Sequence, residues 1–313
     1  MASLSNFSSF KDTNLSKENF DKIYVQPDPR EYYRVLYGLD YVIPELAKPI
    51  FRNIVNALQE QEQRPIKVLD VGSSYGINAA LLRFPIDLDR LGARYRDLSL
   101  SDIDREELVW HDRHYFLSWP AADVEVIGLD VSESAIRYAK EVGLISDGIV
   151  ANLEERMLTD QEAEMLSDVD LIISTGCVGY IGERTFSKLL AAMDRTPWVA
   201  SFVLRMFDYG ELEGVFSSHE LSTEKLKGVT FVQRRFNSYD EYTSVVSKLL
   251  ETGVRVDGKE SEGLLHAEFY LSRPRDASVE LPLEQIAQVT SGANRRYGRR
   301  FRMTPAQTLR FGV

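Results

Sequence analysis

The chain has 313 residues, 44% hydrophobic and 27% charged, with a formal net charge of −11. An acidic balance of this size argues against a general nucleic-acid or membrane-surface binder, because phosphate contacts need a basic face. The single cysteine, Cys177, excludes an internal disulfide. No apolar run approaches the ~20 residues that span a bilayer, and no signal-peptide pattern is seen, so the expected setting is the cytoplasm.

Residues 1–19 are polar and read as a flexible arm. Residues 20–63 read as a helical segment. Pro29 favours a helix start nearby, with Tyr32, Tyr33, Val35, Leu36 and Tyr37 on one helix. Ala47, Ile50, Phe51, Ile54, Val55 and Leu58 form the apolar face of a second. Its tyrosines (Tyr24, Tyr32, Tyr33, Tyr37 and Tyr41) read either as packing against the rest of the chain or as a lid, since a phenol combines apolar area with a hydrogen bond.

A polar break then leads into IKVLDVGSSYGINAALL, residues 66–82. Ile66, Val68, Leu69 and Val71 suit a parallel strand covered on both faces. Gly72, Ser73, Ser74 and Gly76 make a small-residue turn, with Tyr75 between them, that lets backbone approach a ligand. Ile77, Ala80 and Leu81 recur at helical spacing, so the N–H groups of a helix start face the turn. The spacing Asp70-x-Gly72-x-Ser74-x-Gly76 is not the dinucleotide fingerprint.

Residues 84–122 are rich in Asp, Arg and aromatics and read as a helical insertion or extended connection. His111 and His114 share one helix face there; two histidines alone do not make a metal site, and His114 is also weighed as a substrate contact. VEVIGLDVS, residues 124–132, is a second strand. It ends in Asp130, whose position suits ribose hydroxyls, with Val131 beside it and Ser132 as cap of the next helix. Residues 144–155 give a third strand ending near Asn152 and Leu153. Residues 168–182 give a fourth, with Thr175, Gly176, Cys177 and Tyr180 at its carboxyl end, where open α/β sheets bind ligands. Cys177 reads as pocket wall or buried small residue, with no base to make it a nucleophile. WVASFVLRMF is a fifth strand, with Arg205, Asp208 and Tyr209 facing the same crevice. Residues 207–228 read as a connection and helix, 229–236 as a strand, 238–253 as a helix, and 263–274 as a last strand. Residues 275–313 form a tail with six arginines after residue 290 and no acid, read as docking on an acidic body or mediating a homodimer.

Asp70-x-Gly72, Gly76 and Asp130 together resemble motifs I and II of the class I S-adenosylmethionine (SAM)-dependent methyltransferases; Ser74 stands where that family commonly has glycine. The resemblance covers roughly residues 66–274. It implies a doubly wound, Rossmann-like α/β fold with a seven-stranded, mostly parallel sheet and an antiparallel last strand. It divides the chain into the arm, a helical lid (20–63), a SAM-binding domain (64–274, insertion about 84–122) and the basic tail. It implies SAM held by Tyr33, Asp70, Gly72, Ser73, Ser74, Tyr75, Gly76, Asp130, Val131, Asn152, Leu153, Thr175 and Gly176; Tyr32 or Arg34 are alternatives to Tyr33 at the methionine carboxylate. Methyl transfer to a small-molecule acceptor follows, with Tyr37, Tyr41, Cys177, Tyr180, Arg205 and Tyr209 as acceptor contacts. His114, Tyr180 and Asp208 are the leading candidate bases, with His219 and His266 also open. No metal, nucleic acid or membrane is expected. Two rivals remain: a non-catalytic partner or regulatory subunit of the same fold, and an enzyme that uses SAM without methylating.

Overall fold

β1 (Ile66–Val71) pairs in parallel on both sides, with β2 (Val124–Asp130) and with β4 (Leu171–Thr175). Strands buried on both faces read as near-continuous apolar runs, which is why these three were legible. β3 (Asp147–Val150) extends the sheet beyond β2, and β5 (Trp198–Leu204) extends it beyond β4, both parallel. β8 (Leu264–Pro274) then runs antiparallel to β5. The computed structural model describes residues 21–287 and the short segments 301–303 and 309–311. The N-terminal arm and the arginines of the tail's far end therefore lie outside the described residues or are described only as backbone.

Beyond β8 the sheet edge is shared by two short strands, β6 (Leu221–Lys225) and β7 (Phe231–Arg235), both antiparallel to β8. They lie end to end along it. Residues 226–230 on this side oppose only Glu268 and Phe269 on β8, and Gly228 turns through φ 77° between the two strands. The order β3-β2-β1-β4-β5-β8, with a seventh position split between β6 and β7, is the doubly wound sheet with a late antiparallel strand that the sequence predicts.

One expectation is corrected here. Residues 207–228 hold a helix, α10 (Gly210–Ser218), but then the strand β6. Leu221-Ser-Thr-Glu-Lys has one apolar residue and no alternation, and it lies at the sheet's outer edge. A polar edge strand gives no hydropathy signal, and its polarity is how such edges avoid pairing with other chains.

Alternation sorts each strand's side chains between two cores. Ile66, Val68, Leu171, Ile173 and Phe202 face α2 (Arg30–Gly38), α3 (Ile43–Glu62), α4 (Ile77–Arg83) and α7 (Glu133–Glu141). Leu69, Val71, Ile172, Val199 and Val203 face α8 (Asp160–Leu166), α9 (Glu183–Ala191), α10 and α11 (Tyr239–Glu251). The segment 84–122 is helical: α5 (Leu88–Arg94) and α6 (Arg105–Leu117) start at Asp87 and Asp104, whose carboxylates accept the N–H groups of Arg90 and Glu107. Its acids and arginines partly serve one buried carboxylate. Asp112, fully buried, accepts from Arg94 Nε at 2.6 Å and from the Tyr138 hydroxyl at 2.5 Å.

A second buried ion pair joins the split edge to the helix after it. Arg234 on β7 donates to Glu241 on α11 through both terminal nitrogens, at 2.9 and 2.5 Å, and both side chains are shielded from water. Removing one partner strands the other's charge in a poorly solvated place. Glu241→Ala should therefore lower unfolding free energy by about 3–5 kcal/mol, read as a shift of the urea midpoint.

Candidate active site at the carboxyl edge of the sheet

The period of two along β1 sends Asp70 to the same face as Ile66 and Val68, under α4. Thr175 follows Leu171 and Ile173 to that face on the neighbouring strand. Asn78, in the first turn of α4, bridges them: its amide donates to Asp70 Oδ1 at 2.9 Å and to Thr175 Oγ1 at 3.1 Å. Asp70 has no solvent exposure, and its Oδ2 has no hydrogen-bond partner among the described residues. Burial pushes its carboxyl up to about 7; the Asn78 bond opposes that rise and the Asp130 charge adds to it.

The turn after β1 is folded onto the end of β2. The Gly72 and Ser73 N–H groups both donate to Leu129 O, at 2.8 and 3.2 Å. Gly72 takes φ 73°, and a Cβ there would lie 2.8 Å from Cys177 Cβ, so only glycine fits. Ser74 takes φ 48°, a left-handed backbone uncommon for a side chain of its kind. Its N–H donates to Asp130 Oδ2 at 2.9 Å, while Ser132 N–H donates to Oδ1 at 2.9 Å. Burial raises the Asp130 carboxyl, and these backbone donors pull it back. The hydroxyls of Ser73 and Ser74 are buried and have no hydrogen-bond partner among the described residues.

The N-terminal helices lie over this turn. α1 (Asp21–Tyr24) is tied down from below: Tyr75 Oη lies 3.0 Å from Ile23 O and 2.9 Å from Gln26 O, and Ser132 Oγ donates to Tyr24 O at 2.6 Å. The Tyr24 hydroxyl is raised by burial and by Tyr41, and the charges of Arg234 and Asp130 both reach it. Tyr41 sits beside Thr175 and Tyr32; burial pushes its hydroxyl up to about 12, and those two neighbours hold the rise back.

The edge thus gathers Asp70, Gly72, Ser73, Ser74, Tyr75, Gly76, Asp130, Val131, Thr175, Gly176 and Cys177, with Tyr41 above them. Val131 is exposed at the end of β2. Asn152 is exposed past β3, where its Oδ1 accepts Glu154 N–H, and Leu153 is buried in the core. Tyr180 is half exposed on the loop after β4.

Other candidates are placed elsewhere or tied to other partners. Tyr33 is stacked on Tyr95, 4.6 Å between ring centroids, inside the helical layer. Arg34 is exposed and bound to Glu31. Tyr37 packs on Gly92 under the Arg96 guanidinium. The Arg205 guanidinium binds Glu260 at 2.5 Å and the Arg255 carbonyl at 2.7 Å. Tyr209 is buried and stacked on Tyr270. Asp208, exposed, accepts Gly210 N–H at the start of α10. His114 is exposed on α6, against Trp110 of its own helix. His266 is buried beside Thr230, and burial with the Arg205 charge lowers it to about 3. Among the described residues no cluster of three or more His, Cys, Asp or Glu could hold a metal ion, and no helix is long and apolar enough to cross a membrane.

Two residues at the edge escaped the sequence reading. Asn78 stands on the inner face of an otherwise apolar INAALL helix, and that break in pattern was a usable signal. Gln233 offered less: it occupies a slot of an alternating strand where a polar side chain is ordinary.

The fold is an α/β sheet whose strand order reverses between β1 and β4, the place where open sheets of this kind bind ligands. No family model and no curated protein matches the chain. Among solved structures it is similar to the plantazolicin methyltransferase BpumL in complex with SAH, at 12% identity over 86% of this chain and 99% of that one, with a TM-score of 0.43. It is also similar to a TehB-like SAM-dependent methyltransferase from Corynebacterium glutamicum, at 14% identity over 70% and 86%, TM-score 0.35. A precorrin-6y C5,15-methyltransferase from Geobacter metallireducens gives 8% identity over 73% and 87%, TM-score 0.37.

The raised Asp70 carboxyl has a consequence for stability. Its folded value near 7 stands above the ~3.9 of an unfolded chain. Between those values the folded state holds more protons than the unfolded one, so stability falls as pH rises through the window and levels off above it. Asp70→Asn removes that dependence. Relative to wild type, the variant should gain on the order of 4 kcal/mol between about pH 4 and pH 8. Urea unfolding of both proteins across that range checks it; parallel curves would refute the buried-acid account.

Proposed function

We propose that the chain is a SAM-dependent methyltransferase acting on a small-molecule acceptor. The observation that carries this is the turn Gly72–Gly76, locked by the Ser74 N–H on Asp130 at the point where strand order reverses. The residues fit the cofactor by their unmet hydrogen bonds. Asp70 Oδ2 and the Ser73 and Ser74 hydroxyls are buried without partners among the described residues, and SAM brings hydroxyls, an ammonium and a carboxylate. Buried polar groups of this kind are normally satisfied.

In this reading Asp130 takes the ribose hydroxyls, and Val131, Asn152 and Leu153 border the adenine. The turn from Asp70 to Gly76, with Thr175 and Gly176, takes the methionine end. SAM supplies an electrophilic methyl on a sulfonium. The S–CH3 bond breaks as the acceptor's nucleophilic atom bonds the methyl in line, and the chain contributes alignment and exclusion of water. The N-terminal helices are proposed as the cover that excludes it, through Tyr24 and Tyr41. Of the candidate bases, Tyr180 is the one on the loop after β4, beside the crevice; His114 and Asp208 are held on other elements. The surface charge of −11 favours a small acceptor over a polyanion.

Calorimetric titration with SAM and, in parallel, NAD tests the proposal. Wild type should bind SAM and not NAD, and Asp130→Ala should lose at least about tenfold in SAM affinity, since two or more hydrogen bonds to a charged group are removed. Folded wild type that does not bind SAM would overturn the proposal.

A further inference from the structure

Along the β7–β8 pair, Val232 opposes His266 and Arg234 opposes Leu265, so Gln233 is the extra residue of a β-bulge. Bulges re-aim a side chain and are over-represented beside active sites. Here the Gln233 carbonyl accepts Val42 N–H at 2.9 Å, and the side chain turns inward, 4% exposed. It lies against Gly176 at the end of β4: a Cβ on that glycine would strike the Gln233 carboxamide nitrogen. The carboxamide oxygen is buried and has no hydrogen-bond partner among the described residues. A buried acceptor left in that state lowers stability unless something else donates to it.

The same strand positions Tyr41. The Val42–Gln233 bond, together with Arg235 N–H on Leu39 O at 2.8 Å, lays residues 39–42 along β7. Tyr41 is thereby held over Thr175. Its hydroxyl lies close to those of Tyr32 and Thr175, and a phenol can both donate and accept. A buried carboxamide oxygen and a phenol hydroxyl therefore flank Thr175 and Gly176.

We propose that Gln233 and Tyr41 form the polar wall of the methyl-acceptor pocket, and that the acceptor is an uncharged molecule that donates to Gln233 Oε1 and accepts from Tyr41, as a carboxamide does. This rests on the methyl-transfer reading of the site. An anionic acceptor would bring its charge against groups that cannot neutralise it, because the adjoining Arg234 is already committed to Glu241.

The probe is benzamide, with benzoate as its charged counterpart, titrated into protein saturated with S-adenosylhomocysteine (SAH) and read by ligand-observed NMR. Wild type should take benzamide in preference to benzoate. Gln233→Leu should weaken benzamide by about tenfold or more, leave SAH affinity within about twofold, and melt no lower, since an apolar group replaces an unsatisfied amide. Tyr41→Phe should also weaken benzamide. Undiminished benzamide binding by Gln233→Leu, a preference for benzoate, or no benzamide binding by the SAH-saturated wild type would each overturn the inference. A wild type that binds neither SAM nor SAH would remove the methyl-transfer reading and this inference with it.

Discussion

The hydrogen bond from the Ser74 amide to the Asp130 carboxylate constrains the whole carboxyl edge. A serine at φ 48° is in a region side chains seldom adopt, and such a conformation persists only where its surroundings over-determine it. Here they do. Gly72 and Ser73 are held to Leu129 O, Ser74 to Asp130, and the Gly76 amide to Ser73 O. Serine here holds a left-handed backbone that glycine would hold at lower cost. The turn also leaves two buried hydroxyls with no hydrogen-bond partner among the described residues.

The N-terminal helices belong to the same construction. Tyr75 reaches from the turn to carbonyls on both sides of Tyr24, and Ser132, which caps α7, reaches Tyr24 itself. Tyr32 sits among the rings of Tyr24, Tyr33, Tyr41 and Tyr75, edge-on to all four. Edge-to-face pairs of this kind add to the burial of the rings themselves. Packing is the account these ring contacts carry; the cover is the proposed one. Tyr32 and Tyr33 are packed within the layer, while the Tyr24 hydroxyl feels the charges of Arg234 and Asp130 and the Tyr41 hydroxyl lies near Thr175.

What could be read from sequence follows from how each element is buried. β1, β2, β4 and β5 are covered on both faces, so they announce themselves as apolar runs, and strand order then sends their ends to one crevice. β6 is an edge and is polar, so it left no trace. At the site, Asp70, the turn and Asp130 were legible because a motif is a statement about backbone approach and charge at fixed spacing. Arg205 and Tyr209 were proposed for the crevice because their strand ends near it, and Tyr37 because it belongs to the tyrosine-rich segment before the sheet. Each instead meets a partner distant in sequence: Glu260 for Arg205, Tyr270 for Tyr209 and Gly92 for Tyr37. Proximity to the right strand end is a weak predictor when a side chain is long enough to find an internal partner.

The split edge strand shows the opposite case, in which backbone irregularity carries the information. A continuous strand from Leu221 to Arg235 would keep strict alternation against β8, placing Gln233 in ordinary register. Five residues between β6 and β7 against two on β8, and then one extra at Gln233, break that register twice within a few residues. The first break frees β7 to follow its own line, and residues 39–42 bond to it there, so an N-terminal loop is tied to the far edge of the sheet. The second turns Gln233 onto Gly176. Neither break is visible in hydropathy, since both leave the side chains' polarity unchanged and alter only where they point. The crevice is consequently bounded by residues that are distant in sequence and three strand positions apart in the sheet: Thr175 and Gly176 from β4, and Gln233 from β7.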